Sequence, residues 1–369
     1  MLKGKIKINI QGIERLFQPR APAVIGADIS SSAIKLVALA DAGGGSYRVE
    51  HYAVEPLPRD AVVDGNINDL EGVADALRRC HKKLGSPIRN LAMAVPHNAV
   101  ISKTILVPAG QSEEDLELQV ETEANQYIPF VLDEVNLDFQ VLGPAANSPE
   151  DVEVLIAASR KEKVEDRVAV AEAAGLKALV MDVDLYAAQA AFELMRKQFP
   201  EDGRDRNIAI VDVGATLMHV SVLRNGLSIY TREQPFGGQQ LTQEIANRYG
   251  LSVEEAETAK RNGALPENYA PEVVQPFLDL LSLEVARALQ FFYTSTQYNQ
   301  VEHLVLCGGC AALPGVVDAV NARVGVPTLI ANPFADMAVS QRVKPRSLTQ
   351  DAPSLMVACG LALRRFDPT

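Results

Sequence analysis

A chain of 369 residues is long enough for two domains, or for one fold built from two halves that each bury a core. With 47% hydrophobic and 22% charged residues, its composition is that of an ordinary globular protein and argues against disorder. A formal net charge of −12 supplies no basic surface for neutralising phosphates, so a nucleic-acid binder is not expected.

The N-terminal stretch MLKGKIKINIQGIERLFQPR interleaves basic and apolar residues and is followed by Pro22. Residues 1–22 read as an N-terminal arm, with a weak membrane-surface contact as the sharper alternative. The stretch lacks the apolar core and cleavage site of a signal peptide, and no apolar run reaches membrane-span length, so a cytoplasmic location is expected.

After Pro22, AVIGAD reads as a buried strand, ISSS as a turn and AIKLVALA as a second strand. Residues 23–98 thus begin a first α/β domain. The segment 99–176 differs in character. Strand-like AVISKTILVP precedes a helix that Ser112 and Asp115 should open as a capping box and Pro129 should end. Leu116, Val120, Ala124 and Ile128 form its apolar stripe. Strands VNLDFQVLG and DVEVLIAAS and helix KEKVEDRVAVAEAAG complete a β-α-β-β-α insert. Residues 177–205 are expected to return to the first domain.

The opening motif then recurs. NIAIVD, VGAT and LMHVSVL repeat the strand ending in Asp, the small polar turn and the alternating strand. The two copies lie too far apart for a solenoid and more plausibly head two halves of one α/β fold. Helices GGQQLTQEIANRYG, SVEEAETAKRNG and EVVQPFLDLLSLEVARALQFFYTST follow, the second opened by a Ser252/Glu255 capping box and stopped at Gly263. VLCGGCAALPG supplies a strand, a glycine pair and a turn, and SLMVACGLALRR a last apolar helix. The second domain is expected over 206–352, with 353–369 completing the first.

Of four cysteines, only Cys307 and Cys310 are close in sequence. No second Cys-x-x-Cys or His-x-x-x-His completes a zinc set, and Cys307 closes the apolar run HLVLC instead of opening a helix. Gly308 and Gly309, which let a ligand approach the backbone, are the better reading. Asp28 with Ser30, Ser31 and Ser32, and Asp212 with Gly214, Ala215 and Thr216, each suit a phosphate cradle. Their backbone N–H groups and hydroxyls would hold the phosphate and their carboxylates Mg²⁺ through water. Either copy alone reads more readily as an ordinary hairpin turn, but two copies heading two halves would clasp a polyphosphate between them. Lys35 is either a phosphate-reaching point charge or a solvated lysine. Glu257 and Lys260 are either ribose-binding groups or a helical surface ion pair.

These motifs, in this order and separation, resemble the two phosphate motifs and the adenosine motif of the actin-like ATPases. FGGQQLTQEIANRYGLSVEEAETAK is similar to the cell-division protein FtsA. There, a Gly-Gly pair, here Gly237 and Gly238, precedes the Leu-Thr and Ala-Glu-x-x-Lys series that contains Glu257 and Lys260. GADISSSAIKLVAL, YRVEHYAVEPLP and EANQYIPFVLDEVNLDFQVLG resemble the PilM family of type IV pilus assembly. The resemblance implies an actin-like ATPase fold, two ribonuclease-H-like domains around a nucleotide cleft, with the FtsA-type insert. It also implies ATP or ADP with Mg²⁺ in the cleft, with Gly237 and Gly238 among the nucleotide-binding residues, and docking of the N-terminal cytoplasmic segment of PilN. Contact with the membrane and with other type IV pilus inner-membrane and motor proteins would follow through that partner, and homo-oligomerisation stays open.

VDLYAAQAAF resembles the superfamily's first connecting helix, where a carboxylate or amide orients the attacking water. Asp184 stands there, one methylene shorter than Glu or Gln, which implies slow hydrolysis at most. Tyr127, Ile128, Pro129 and Phe130 are either anchors of a peptide groove or packing of the insert. A small-molecule kinase of the same superfamily and an FtsA-like filament former are the alternative functions.

Overall fold

The computed structural model describes residues 22–145 and 148–367; the arm expected over 1–22 falls almost wholly outside them. In chain order the first region forms β1 (Ile25–Ile29), β2 (Ala33–Gly43), β3 (Ser46–Pro56), a small hairpin β4 (Val62–Val63) and β5 (Asn66–Ile67), α1 (Leu70–Leu84) and β6 (Asn90–Val95). The near-continuous apolar run of β2 arises because both of its faces are covered. Ile34, Leu36 and Ala38 enter a core beneath α1, while Val37 and Leu39 enter a second core facing the other half of the molecule.

The insert follows as β7 (Val100–Pro108), α2 (Glu113–Tyr127), β8 (Val135–Ala145), β9 (Ser148–Arg160) and α3 (Lys161–Ala173). Its three strands form an antiparallel sheet in the order β7-β9-β8. Val120, Ala124 and Ile128 of the helical stripe are buried on it with Ile105, Val107, Val154 and Ile156, and Leu116 packs at the edge. At the start of α2, Ser112 Oγ accepts from the Asp115 N–H at 3.2 Å and donates to the Asp115 carboxylate at 2.6 Å. This is half of a capping box, because the shorter Asp side chain meets the hydroxyl. Where Glu stands at the third position, at Ser252 and Glu255, both reciprocal bonds form.

Helix α3 does not belong to the insert's core. Its Val170 and Ala171 are buried with Val73 and Leu77 of α1 under the first sheet. Arg167, 3% exposed, donates to the carbonyls of Gly65 and Ala94 of that region. The stretch 161–175 read as a helix, but nothing in it named the sheet it would cover.

The chain continues through β10 (Lys177–Val183), α4 (Asp184–Glu193), β11 (Asn207–Val213), β12 (Met218–Arg224), β13 (Leu227–Gln234), α5 (Gly238–Tyr249), α6 (Val253–Asn262) and α7 (Gln275–Ser295). It ends with β14 (His303–Cys307), α8 (Val316–Val324), β15 (Thr328–Ile330), β16 (Ala338–Val339), α9 (Pro345–Asp351) and α10 (Met356–Leu363). The first sheet has the order β10-β6-β1-β2-β3-β16 and the second β13-β12-β11-β14-β15. In each, an antiparallel three-strand meander is extended by two strands parallel to its first member. The repeated sequence motif therefore occupies the same topological place in both halves. Strand β16 pairs in parallel with β3, so the chain rejoins the first sheet earlier than the expected boundary at 352.

Helices α4 and α10 pack in the core shared by the two sheets, through Ala191, Phe192, Met356, Ala358 and Cys359. A Cβ on Gly360 would sit 1.7 Å from the Ala187 carbonyl oxygen, and one on Gly26 2.1 Å from that of Ala358. Strand β1, α10 and α4 thus stack at backbone contact, which fixes the first phosphate-type hairpin against the centre of the molecule.

Candidate functional site

The two hairpins meet in the lining of a cleft of about 1560 Å³ between the halves. They are built alike. Asp28 is opposite Lys35 across β1 and β2, and Asp212 is opposite His219 across β11 and β12. Ser30 closes the first turn, its N–H and Oγ both donating to the Ala33 carbonyl, and in the second the Gly214 N–H donates to Leu217 O at 3.0 Å. The turns touch directly, with Thr216 Oγ1 3.3 Å from Ser31 Oγ. Ser32 and Ala215 line the same cleft.

Three carboxylates, Asp28, Asp212 and Asp184, line this region with one ammonium among them. Lys35 lies 2.9 Å from Asp28 Oδ2 and borders the cleft, so it is not the solvated lysine that its position in sequence also allows. Burial alone would depress its pKa, but the bonded Asp28 carboxylate, with Asp212 further off, holds it above its ordinary value. Asp212 is pushed up by burial, which the attraction of His219 and Lys35 only partly offsets, with smaller repulsion from Asp28 and Asp184. A cluster of hard oxygen donors suits a hydrated Mg²⁺, which Asp28 and Asp212 could hold through water.

The glycines divide into two kinds. Gly308 has φ +84°, and a Cβ there would lie 2.3 Å from Asp212 Oδ1, so its lack of a side chain is demanded by the protein itself. Gly309 has nothing within 4 Å of its Cβ position and borders the cleft, so only a bound group would need its backbone bare. Gly308→Ala should destabilise the chain by roughly 1–3 kcal/mol from backbone strain alone. Gly309→Ala should leave the melting temperature unchanged yet weaken nucleotide binding. Equal affinities in a calorimetric titration of wild type and Gly309→Ala would remove Gly309 from the site.

The pair expected from its FtsA-like context behaves differently. A Cβ on Gly237 would lie 2.5 Å from the Ala215 carbonyl, and Gly237 does not border the cleft. The N–H groups of Gly238 and Gln239 donate to the carbonyls of Gly214 and Ala215 at 3.0 and 2.8 Å. Gly237 therefore supports the second hairpin from behind, a correction to its expected ligand role, while Gly238 also borders the cleft. Cys310 packs in the same place, its Sγ 3.6 Å from Gly214 O. Burial pushes its thiol up to about 12 and that of Cys307 well above its usual value, so neither is a ready nucleophile.

Glu257 and Lys260 form an ion pair of 2.6 Å, as a helical spacing of three allows. They also line the cleft, and Thr242 Oγ1 lies 2.7 Å from both, so the pair is built into a polar wall. Asp184 opens α4 at the cleft, where its Oδ1 accepts from the N–H groups of His97 at 2.9 Å and Leu185 at 2.6 Å. One carboxylate oxygen thus holds the loop after β6.

The 127–130 stretch is split. Ile128 is 7% exposed inside the insert's core, so it is packing and not a peptide contact. Phe130 packs on the same core under the guanidinium of Arg160, whereas Tyr127, beneath Lys103 Nζ, and Pro129 are exposed. Sequence reasoning missed His219 and Arg167 as cleft-lining residues. His219 had a signal: aligning the two hairpin copies puts it opposite Asp212 as Lys35 is opposite Asp28. Arg167 had none, since its target carbonyls are distant in sequence.

Comparison with known proteins agrees with this architecture. The chain is 24% identical over 360 residues to cell division protein FtsA of Escherichia coli (strain K12), covering 82% of this chain and 84% of that one. With the FtsA of Bacillus subtilis (strain 168) it shares 23% identity over 324 residues, 74% of this chain and 72% of the other. Among solved structures, the PilM-PilN type IV pilus biogenesis complex superposes with a TM-score of 0.77 at 30% identity, over 95% of this chain and 100% of that chain. The ethanolamine utilization protein EutJ from Carboxydothermus hydrogenoformans shares the fold, with a TM-score of 0.54 at 18% identity over 94% and 90% of the two chains. The fold is that of the actin-like ATPases. Residues 26–366 match the family model of type IV pilus assembly protein PilM, and the chain belongs to that family.

Proposed function

We propose that this chain is a nucleotide-binding scaffold of the type IV pilus machinery that docks the N-terminal cytoplasmic segment of a PilN partner and so links the inner-membrane complex to the pilus motor. Among the described residues no helix is long and apolar enough to cross a membrane. Attachment to the cytoplasmic face of the inner membrane would come through the partner.

ATP or ADP with Mg²⁺ is the ligand that the cleft suits. Asp28 and Asp212 would hold the hydrated metal, and the Ser30–Ser32 and Gly214–Thr216 turns the phosphates. Gly308 and Gly309 would flank the adenosine, with Glu257 and Lys260 at the ribose. The metal's charge would offset the crowded carboxylates. Asp184 has one oxygen fixed by backbone donors, which leaves only its second to orient a water, and this supports slow turnover at most.

The observation that carries the docking role is the surface of the insert. Six of the twelve exposed large apolar side chains among the described residues are there: Leu106, Leu118, Tyr127, Val131, Val141 and Leu142. Exposed apolar side chains in this number on one small module offer anchors for a docked peptide. Titrating the full chain with a synthetic PilN N-terminal peptide, with and without ATP and Mg²⁺, tests the reading. Leu118→Asp combined with Val131→Asp should weaken the peptide at least about tenfold, as loss of central apolar anchors does, while nucleotide affinity holds. Unaltered peptide affinity would place the dock elsewhere.

A further inference from the structure

We propose that His97, His219 and Glu233 form a site for a borderline divalent transition ion such as Zn²⁺, which ties the two halves together across the cleft. His97 stands in the turn after β6 of the first half, whereas His219 and Glu233 are neighbours in register on β12 and β13 of the second. Each offers one ligand atom, and these lie within 4.8 Å of one another.

The separations suit ligands gathered on one ion. Glu233 Oε1 is 3.3 Å from His97 Nε2 and 3.0 Å from His219 Nδ1. Ligands bound at about 2.0–2.2 Å around a tetrahedral zinc are themselves separated by roughly 3.3 Å. His219 Nδ1 and Glu233 Oε1 are buried and close enough to pair, yet the angle between them is poor for a hydrogen bond and no other group partners either atom. Buried polar atoms left so are rare and require a reason. The two rings meet edge to face at 71°, so the ligand nitrogens approach from different directions.

An outer shell is already built. Asp184 Oδ1 accepts from the His97 backbone N–H at 2.9 Å and lies 3.5 Å from its ring Nδ1, the nitrogen left over when Nε2 binds a metal. Asn98 Nδ2 donates to Glu233 Oε2 at 3.3 Å, which leaves Oε1 for the ion. Carboxylates and amides placed in this way behind ligating His and Glu are the usual means of orienting a metal site. Two imidazoles and one carboxylate are the donor set of zinc and its neighbours, distinct from the all-oxygen environment of Asp28 and Asp212 that suits Mg²⁺. All three residues border the cleft.

Calorimetric titration of the chelator-treated full chain with Zn²⁺ alone, in the absence of nucleotide, tests the site independently of the nucleotide and peptide readings. One ion per chain is expected, with a rise in melting temperature. His97→Ala and Glu233→Gln should each weaken the ion at least about tenfold, the smallest loss seen even for outer-shell changes, and abolish the thermal shift. Asn98→Ala removes no ligand and perturbs the fold least; it should weaken Zn²⁺ measurably while His51→Ala, away from the cleft, does not. Zinc uptake unchanged in His97→Ala, Glu233→Gln and Asn98→Ala, or Mg²⁺ competing equally for the same ion, overturns the assignment.

Discussion

Asp212→Asn is expected to lower the affinity for ATP with Mg²⁺ by roughly ten- to a hundredfold, the usual loss when a group that holds a metal through its outer shell is removed. The same substitution should leave the nucleotide-free chain as stable as wild type or more so. Burial, with Asp28 and Asp184 nearby, holds the Asp212 carboxyl above its unfolded value, so the folded chain binds its proton more tightly than the unfolded one. Stability is therefore fuller below the unfolded pKa and declines as pH rises through the folded value, because the ionised form is the disfavoured one. Asn has the same shape without the charge and should remove that decline. A site group that costs stability until its ligand arrives is a common trade of functional residues. Calorimetry of the variant and melting curves across pH measure the two effects separately, and an unchanged nucleotide affinity would take Asp212 out of the site.

What the sequence made legible, and what it hid, follows from the range of the forces involved. The duplicated hairpin was readable because its strands are buried on both faces and its Asp ends a strand in each copy. The equivalence of Lys35 and His219 was latent in that same alignment. By contrast, Gly237, Gly308 and Gly309 look alike in sequence, although the backbone of the second hairpin excludes a side chain at the first two and only open cleft borders the third. Helix α3 was visible as a helix, but a helical pattern carries no address, and Val170 and Ala171 were free to cover either neighbouring sheet until the tertiary fold placed them under the first. Strand β16 spans only Ala338–Val339, too short for any periodicity to show. Asp184 was identified by its position, but the two backbone donors that fix one of its oxygens come from its own helix and from a loop far away in sequence.

The placement of α3 also decides how the insert should be removed. Deleting all of 99–176 would take away Val170, Ala171 and Ala174 from the first core, together with Arg167 and its bonds to Gly65 and Ala94. Losing a whole core helix costs several kcal/mol, comparable to the roughly 5–15 kcal/mol that holds a domain folded, so that protein should not fold. A narrower cut is available. Val100 and Ser159 are directly paired where β7 leaves and β9 returns, and the Ser159 hydroxyl donates to Ala99 O at 3.0 Å. Paired strand positions of this kind lie only about 4.5–5.5 Å apart, so a short Gly-Ser turn can join them. Replacing 101–158 by such a turn should preserve cooperative unfolding and nucleotide affinity, because every residue placed at the cleft lies outside that span. Peptide capture should be lost altogether, since the exposed apolar side chains from Leu106 to Leu142 go with the insert. If the shortened chain folds, binds ATP and still captures the PilN peptide at full affinity, the dock is on the body of the molecule and the insert serves another contact.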